Sequence, residues 1–173
     1  MGEEAVTIRP GTAADVEGAA LLMHLADVER RGPSPLDAGL RERTVARLSD
    51  PSTFFCVAET SGVEGPVATA AGMSGRLDGG AGAPIPGLCH ISMVAVRPGL
   101  WGRGLGGLVV DAVLAEAVRR GYDRAQLFTQ TGNPRARALY EGRGFALTGQ
   151  AGVDDMGDEI VHYLLRFPAP PTA

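Results

Sequence analysis

The stretch from Leu88 to Gly107, LCHISMVAVRPGLWGRGLGG, decides how the rest of the chain is read. Leu88 to Val96 is a run of apolar and β-branched residues with the look of a strand, and Arg97-Pro98 stops it because proline cannot donate to a ladder. Gly102-Arg103-Gly104-Leu105-Gly106-Gly107 then opens a helix that runs to about Arg120. The start of a helix leaves backbone N–H groups unpaired, and the aligned peptide dipoles add partial positive charge there. Glycines let a ligand come close to that backbone, so the arrangement suits a phosphate, with Arg103 adding a cation. The plain alternative is a tight strand-to-helix turn that holds nothing.

Gly102, Gly104 and Gly107 match the dinucleotide spacing G-x-G-x-x-G, yet that fingerprint belongs after the first strand of a βαβ unit, with an acidic residue closing the second strand. Here the strand is about the fourth, and Thr129-Gln130-Thr131 ends the next one without a carboxylate. The Gly-Lys-Ser/Thr of a P-loop is also absent.

Working outward, Ala5 to Arg9 alternates like a short strand, and Thr12 offers an N-cap, with Asp15 in the first turn of a helix to about Glu29. Arg31-Gly32-Pro33-Ser34-Pro35 breaks that helix, and Leu36 to Leu48 has the spacing of a shorter one ended by Asp50-Pro51. Thr53 to Thr60 and Val67 to Leu77 flank a turn at Ser61-Gly62 and are expected to pair as an antiparallel hairpin. Asp78 to Gly87, mostly Gly, Ala and Pro without periodicity, is expected to be a mobile surface segment. Downstream, Ala125 to Thr129 reads as a strand, Asn133 to Gly142 as a short helix, and Phe145 to Gln150 and Ile160 to Phe167 as strands. This order predicts one α+β domain over residues 1–168, a mixed sheet with helices on both faces, and a Pro-rich tail at 169–173.

The 173 residues are 45% hydrophobic, enough for a core without disulfide or metal staples. The net charge of −4 argues against a generic polyanion binder, since nucleic-acid affinity rests on clustered cations, so any anion site must be local. Cys56 and Cys89 have no zinc or disulfide spacing and read as small core residues, with a reducing cytoplasm as the default compartment. His24, His90 and His162 are dispersed and make no metal site. The acidic Met1-Gly2-Glu3-Glu4 lacks the features of a secretory signal, and Val6 stands where a myristoylation motif wants Ser or Thr. Asp111 and Glu116 interrupt the longest apolar run, so no membrane span is expected.

Two segments carry a family resemblance. Met93 to Gly106, MVAVRPGLWGRGLG, resembles the acetyl-CoA motif of the GNAT N-acetyltransferase superfamily, and Asn133 to Phe145, NPRARALYEGRGF, resembles its second motif. The likeness is strong from Leu88 to Phe145 and weak elsewhere, and Trp101 stands where the family usually has Arg or Gln. The resemblance implies the acyl-CoA N-acyltransferase fold: a mixed, mostly antiparallel sheet of about seven strands flanked by four helices, with the fourth and fifth strands splayed at a bulge. It implies acetyl-CoA as cosubstrate and no metal. The main chain around Ala95, at Val94 and Val96, would pair with pantetheine. Trp101, Gly102, Arg103, Gly104, Leu105, Gly106 and Gly107 would form the phosphate loop. Asn133 would touch the cofactor arm. Arg135 or Arg137, on either side of Ala136, would reach the adenosine 3′-phosphate or else be solvated helix residues.

Acyl transfer to an amine needs the amine neutral. For a Lys-like group of pKa ~10.4, this costs roughly 4–5 kcal/mol at pH 7 without help. His90 lies where members of the superfamily place a catalytic Glu or His, and a neutral imidazole can accept the proton directly or through water. The alternative is a packed strand residue. Ser92 shares its face by strand alternation and could hold a relaying water. Tyr140 matches the family's general acid for the departing sulfur, or is simply a core residue of an amphipathic helix. The Val94 N–H would receive the oxyanion.

The implied function is transfer of an acetyl group from acetyl-CoA to a primary amine of a small molecule or peptide, by direct attack in a ternary complex. The alternatives are a non-catalytic acyl-CoA sensor or partner module, and a nucleotide-binding oxidoreductase. The acceptor would be shaped by Arg30 to Asp37 and Ala151 to Glu159, where Asp154, Asp155, Asp158 and Glu159 could attract a cation. An exposed final strand could pair with a second copy to form a homodimer.

Overall fold

The computed structural model describes residues 5–172. The reading of the amino terminus as free of a leader, made on Met1 to Glu4, lies outside the described residues, as does Ala173 at the end of the tail. The elements run β1 (Val6–Pro10), α1 (Val16–Arg31), α2 (Asp37–Ser49), β2 (Phe54–Thr60), β3 (Ala68–Arg76), β4 (Pro84–Val96), α3 (Leu105–Arg119), β5 (Arg124–Gln130), α4 (Pro134–Glu141), β6 (Ala146–Val153) and β7 (Glu159–Arg166). The seven strands form one sheet in the order β1-β2-β3-β4-β5-β7-β6. The β4–β5 pair is parallel, while β1–β2, β2–β3, β5–β7 and β6–β7 are antiparallel. A mixed, mostly antiparallel sheet with four helices is the expected architecture. Contacts divide the chain into two compact units: residues up to Met73 together with Met93–Ala115, and Ser74–Ser92 together with Glu116 onward.

In the first unit, β2 is buried on both faces, and its alternation shows why. Phe55 and Val57 join Val16, Ala19, Leu48, Ala71 and Met93 in one apolar cluster beneath α1 and α2. Cys56 points the other way, and its S–H donates to the Val109 carbonyl of α3 at 3.3 Å. Burial pushes the Cys56 thiol up to about 11, so it stays protonated as a core residue. The turn from β1 into α1 is fixed by charge. Arg9 donates to Asp15 at 2.7 Å and to Glu59 at 2.7 Å, while the Thr12 N–H donates to Asp15 at 2.8 Å. These donors hold the Asp15 carboxyl at about 2.

In the second unit, two expectations are corrected. The segment after Asp78 is not loop throughout: β4 begins at Pro84, four residues before the expected Leu88. Proline is tolerated there because the β4–β5 ladder has not begun; its first pair is Leu88↔Arg124. The Pro86 carbonyl, on the side where a Pro86 N–H would have pointed, is met instead by the Arg124 guanidinium at 3.2 Å. The final strand is not exposed either, since β7 lies between β5 and β6, and β6 takes the edge. The Asp154–Asp158 turn sends the chain back inside β6, so a dimer built on a bare last strand is ruled out.

Candidate functional site

In the first unit the glycine loop is built as its glycines require. Gly99, Gly102 and Gly104 have φ of 87°, 81° and 80°, the left-handed region that glycine enters without a Cβ penalty. A Cβ built on any of the three meets nothing within 4 Å, so the loop backbone is open above. The helix starts at Leu105 rather than at Gly102, and its first intrahelical bond runs from the Leu108 N–H to the Gly104 carbonyl at 3.2 Å. The amides of Leu105, Gly106 and Gly107 therefore lie in the part of the first turn that has no intrahelical partner. Arg103 is exposed between two of the left-handed glycines.

Upstream of the loop, Met93 has φ of 53° while only 7% exposed. A buried non-glycine residue there costs on the order of 1–3 kcal/mol, which the cluster around Val16, Phe55 and Ala71 must offset. The β4–β5 ladder runs only from Leu88↔Arg124 to His90↔Gln126, although β4 continues to Val96 and β5 to Gln130. Met93 is thus a left-handed residue within β4, three residues beyond the last registered β4–β5 pair. Val94 and Val96 are half-buried, and Ala95 between them is buried. The Trp101 indole N–H donates to the Val96 carbonyl at 2.8 Å.

In the second unit, His90 and Ser92 are half-buried on β4, whereas Cys89 and Ile91 between and beside them are buried. The shared face of His90 and Ser92 follows from the strand period. Phe128 of β5 lies 6.2 Å from the His90 ring and 4.7 Å from the His162 ring, centroid to centroid. His162 is a structural residue: 8% exposed, with Nδ1 2.7 Å from Thr148 Oγ1 and Nε2 2.9 Å from Gln126 Oε1. Burial lowers its pKa and keeps the ring neutral.

On α4, Asn133 is the N-cap, and its Oδ1 accepts from the Ala136 N–H at 3.2 Å. Arg135 is exposed. Arg137 turns inward, donating to the Tyr163 hydroxyl at 3.0 Å, and that hydroxyl donates to Glu141 at 2.6 Å. Tyr140 is 7% exposed with its ring edge-on to Phe145, centroids 5.9 Å apart. Burial alone raises its pKa well above the usual phenol range, so the O–H persists at any working pH.

Both segments expected to shape an acceptor are braced. Arg31 and Asp37 form an ion pair at 2.6 Å, and the Ser34 N–H donates to Asp37 at 2.7 Å. Asp154 does not present its charge openly: Oδ1 accepts the N–H groups of Met156 and Asp158 at 2.9 Å each, and Oδ2 accepts Gln130 Nε2 at 3.0 Å. A groove of about 530 Å³ between α1 and α2 is lined by Glu17, His24, Asp37, Arg41, Glu42 and Val45, none of which belongs to the glycine loop. Among the described residues no group of three or more His, Cys, Asp or Glu side chains is placed to hold a metal. Nor is any helix among them long and apolar enough to cross a membrane.

Residues 20–145 match the acetyltransferase (GNAT) family. The chain belongs to the GNAT acetyltransferase family. Its fold is shared with the ribosomal-protein-S18-alanine N-acetyltransferase of Escherichia coli, at a TM-score of 0.72 and 19% identity over 96% of this chain and 97% of that one. The GNAT fold also aligns with yncA of Salmonella typhimurium, solved with acetyl-CoA, at a TM-score of 0.70 and 22% identity over 98% of this chain and 99% of that one. A curated relative, the mycothiol acetyltransferase of Beutenbergia cavernae, is 43% identical over 67 residues. That match covers 37% of this chain and 23% of the relative's length.

The open backbone at Gly102 and Gly104 and the first-turn amides of α3 offer N–H donors and partial positive charge to an anion. Three features of this GNAT chain were not read from its sequence. Met93 gave no signal, because methionine has no preference for positive φ. Gly99 lies within the resembling segment but is not among the glycines assigned to the phosphate loop. The His162 pairings join residues from three strands and leave no local trace.

Proposed function

We propose that this protein transfers an acetyl group from acetyl-CoA to a primary amine of a small molecule or peptide, in a ternary complex. The observation that carries the reading is the glycine loop: left-handed φ at Gly99, Gly102 and Gly104, open backbone above it, and first-turn amides of α3 without an intrahelical partner. Acetyl-CoA supplies an activated thioester carbonyl and a thiol leaving group. The loop amides with Arg103 hold the diphosphate, and the Val94 and Val96 main chain aligns the pantetheine arm. Arg135 on exposed α4 surface is better placed than inward-turned Arg137 for the adenosine 3′-phosphate.

His90, directly or through a water held by Ser92, takes a proton from the amine as its nitrogen bonds to the carbonyl carbon. The Val94 N–H steadies the charge on the carbonyl oxygen. As the carbon–sulfur bond breaks, Tyr140 gives its hydroxyl proton to sulfur and regains one from solvent. The sum is an amide and free CoA thiol; the proton that His90 takes passes to solvent and offsets the one Tyr140 draws from it, so a neutral amine gives no net proton release. The persistence of the buried Tyr140 O–H supports this role.

Isothermal calorimetry with acetyl-CoA, followed by mass spectrometry of products from a panel of amines, peptides and thiol-bearing amino sugars, tests the proposal. The expected result is saturable binding and an acceptor that gains 42 mass units, roughly one acetyl group in place of one hydrogen. Binding without any acetylated product would leave an acyl-CoA sensor, and no binding would remove the reading.

A further inference from the structure

The indole of Trp101 donates to the Val96 carbonyl at 2.8 Å, and the edge of β4 it reaches can be worked out. Along a strand, the N–H and C=O of one residue point to one edge, and those of the next residue to the other. The Arg97 N–H donates to the Val67 carbonyl at 2.8 Å, toward the chain entering β3. One residue earlier, the Val96 carbonyl therefore faces away from β3, as the Val94 carbonyl also does. On that edge β4 has no registered pair with β5 beyond His90↔Gln126. The indole thus occupies a carbonyl on the very edge assigned above to the pantetheine arm.

The loop has reason to need such an anchor. Gly99, Gly102 and Gly104 are all left-handed, and glycines lose the most conformational freedom when fixed. The start of the loop is held through Arg97, whose guanidinium donates to the Glu64 carbonyl at 3.0 Å, and by the Leu100 N–H to the Arg97 carbonyl at 3.0 Å. Trp101 adds a hold directly beside Gly102. A carbonyl has two lone pairs, so one indole donor leaves room for a second donor on Val96.

We propose that Trp101 is a positioning residue for acyl-CoA: its indole N–H pins the glycine loop to the end of β4 and sets the Val96 carbonyl for pairing with the cosubstrate's amide. The inference rests on the acyl-CoA reading above. It differs in kind from a phosphate-touching Arg or Gln at this position, because the side chain acts inward on its own strand.

Trp101 is the only tryptophan in the chain, so its emission reports on this contact. The experiment measures acetyl-CoA binding by calorimetry and by Trp101 fluorescence in the wild type, then calorimetric Kd, KM, kcat and melting temperature in Trp101→Phe and Trp101→His. Saturating acetyl-CoA is expected to change the wild-type emission. Trp101→Phe keeps a ring but loses the donor, and should raise Kd and KM for acetyl-CoA about five- to tenfold, the weight of one hydrogen bond, with kcat within about twofold. Its melting temperature should stay close to wild type, and Trp101→His, with a ring N–H, should bind more tightly than Trp101→Phe. An unchanged Kd in Trp101→Phe would overturn the proposal by making the indole a bystander. A tighter Kd would overturn it by making the indole a plug. Should Trp101→Phe not fold, wild-type emission that ignores calorimetrically proven binding overturns it equally. Absence of wild-type binding would instead strike the acyl-CoA reading itself.

Discussion

Replacing Tyr140 by Phe removes one oxygen atom and little else, which makes it a clean probe of the proposed acid. The ring is 7% exposed and keeps its edge contact with Phe145. Burial is the one cause of the raised phenol pKa, so the change in stability should stay within about 0.5 kcal/mol. Rate is a different matter. General acid catalysis contributes about 10²–10⁴-fold, and a thiol of ordinary pKa ~8.5 is already a fair leaving group, so the lower end applies. Turnover should fall about 100-fold, or about 2.7 kcal/mol in the barrier, with acetyl-CoA affinity unchanged. Steady-state release of free thiol with the identified acceptor measures the first, and calorimetry the second. Because burial raises the phenol pKa, the wild type should show no loss of rate from Tyr140 ionisation up to about pH 10. The same shift makes stability fall above about pH 10, where the unfolded phenol ionises and the folded one does not. A folded Tyr140→Phe protein that turns over within twofold of wild type would refute the assignment.

Three further outcomes follow from the geometry. His90→Ala should lower kcat at least tenfold at neutral pH while leaving acetyl-CoA binding intact, as read by paired kinetic and calorimetric titrations; an unchanged rate would transfer the base role to water. Gly104→Ala forces a Cβ onto φ of 80°, costing about 1–2 kcal/mol, and thermal melting should register that loss while the acetyl-CoA Kd rises. His162 is held neutral by burial, so its contribution to stability is complete above the unfolded pKa of about 6.5 and is lost as pH falls through its lower folded value. Melting curves from pH 7.5 down to 5 should decline, and His162→Gln should flatten that decline.

What could be read in advance was whatever is written locally. The glycines before α3, the prolines that end α1 and β4, and the strand alternation that puts His90 and Ser92 on one face each depend on neighbours a few residues apart. What escaped depends on partners far along the chain. Pro84 and Pro86 looked like a loop because proline lacks a ladder donor, and only the late start of the β5 pairing makes them acceptable in a strand. The last strand looked like an edge because nothing in Glu159 to Arg166 states that β5 waits on its other side. Arg135 and Arg137 looked alike on the short helix, and the bond from Arg137 to Tyr163, 26 residues later, had no local signal.

Trp101 shows how the two kinds of information meet. Its departure from the family pattern was visible at once, but the local sequence offered no substitute duty for the lost Arg or Gln. The duty appears only when the six-residue turn from Val96 to Trp101 closes on itself. A side chain that reaches out to a phosphate depends on salt, because its hold is a charge on a charge. An indole that braces its own strand does not. The affinity of Trp101→Phe for acetyl-CoA should therefore fall by the same factor at low and high ionic strength, whereas loss of Arg103 should weaken binding most when salt is low.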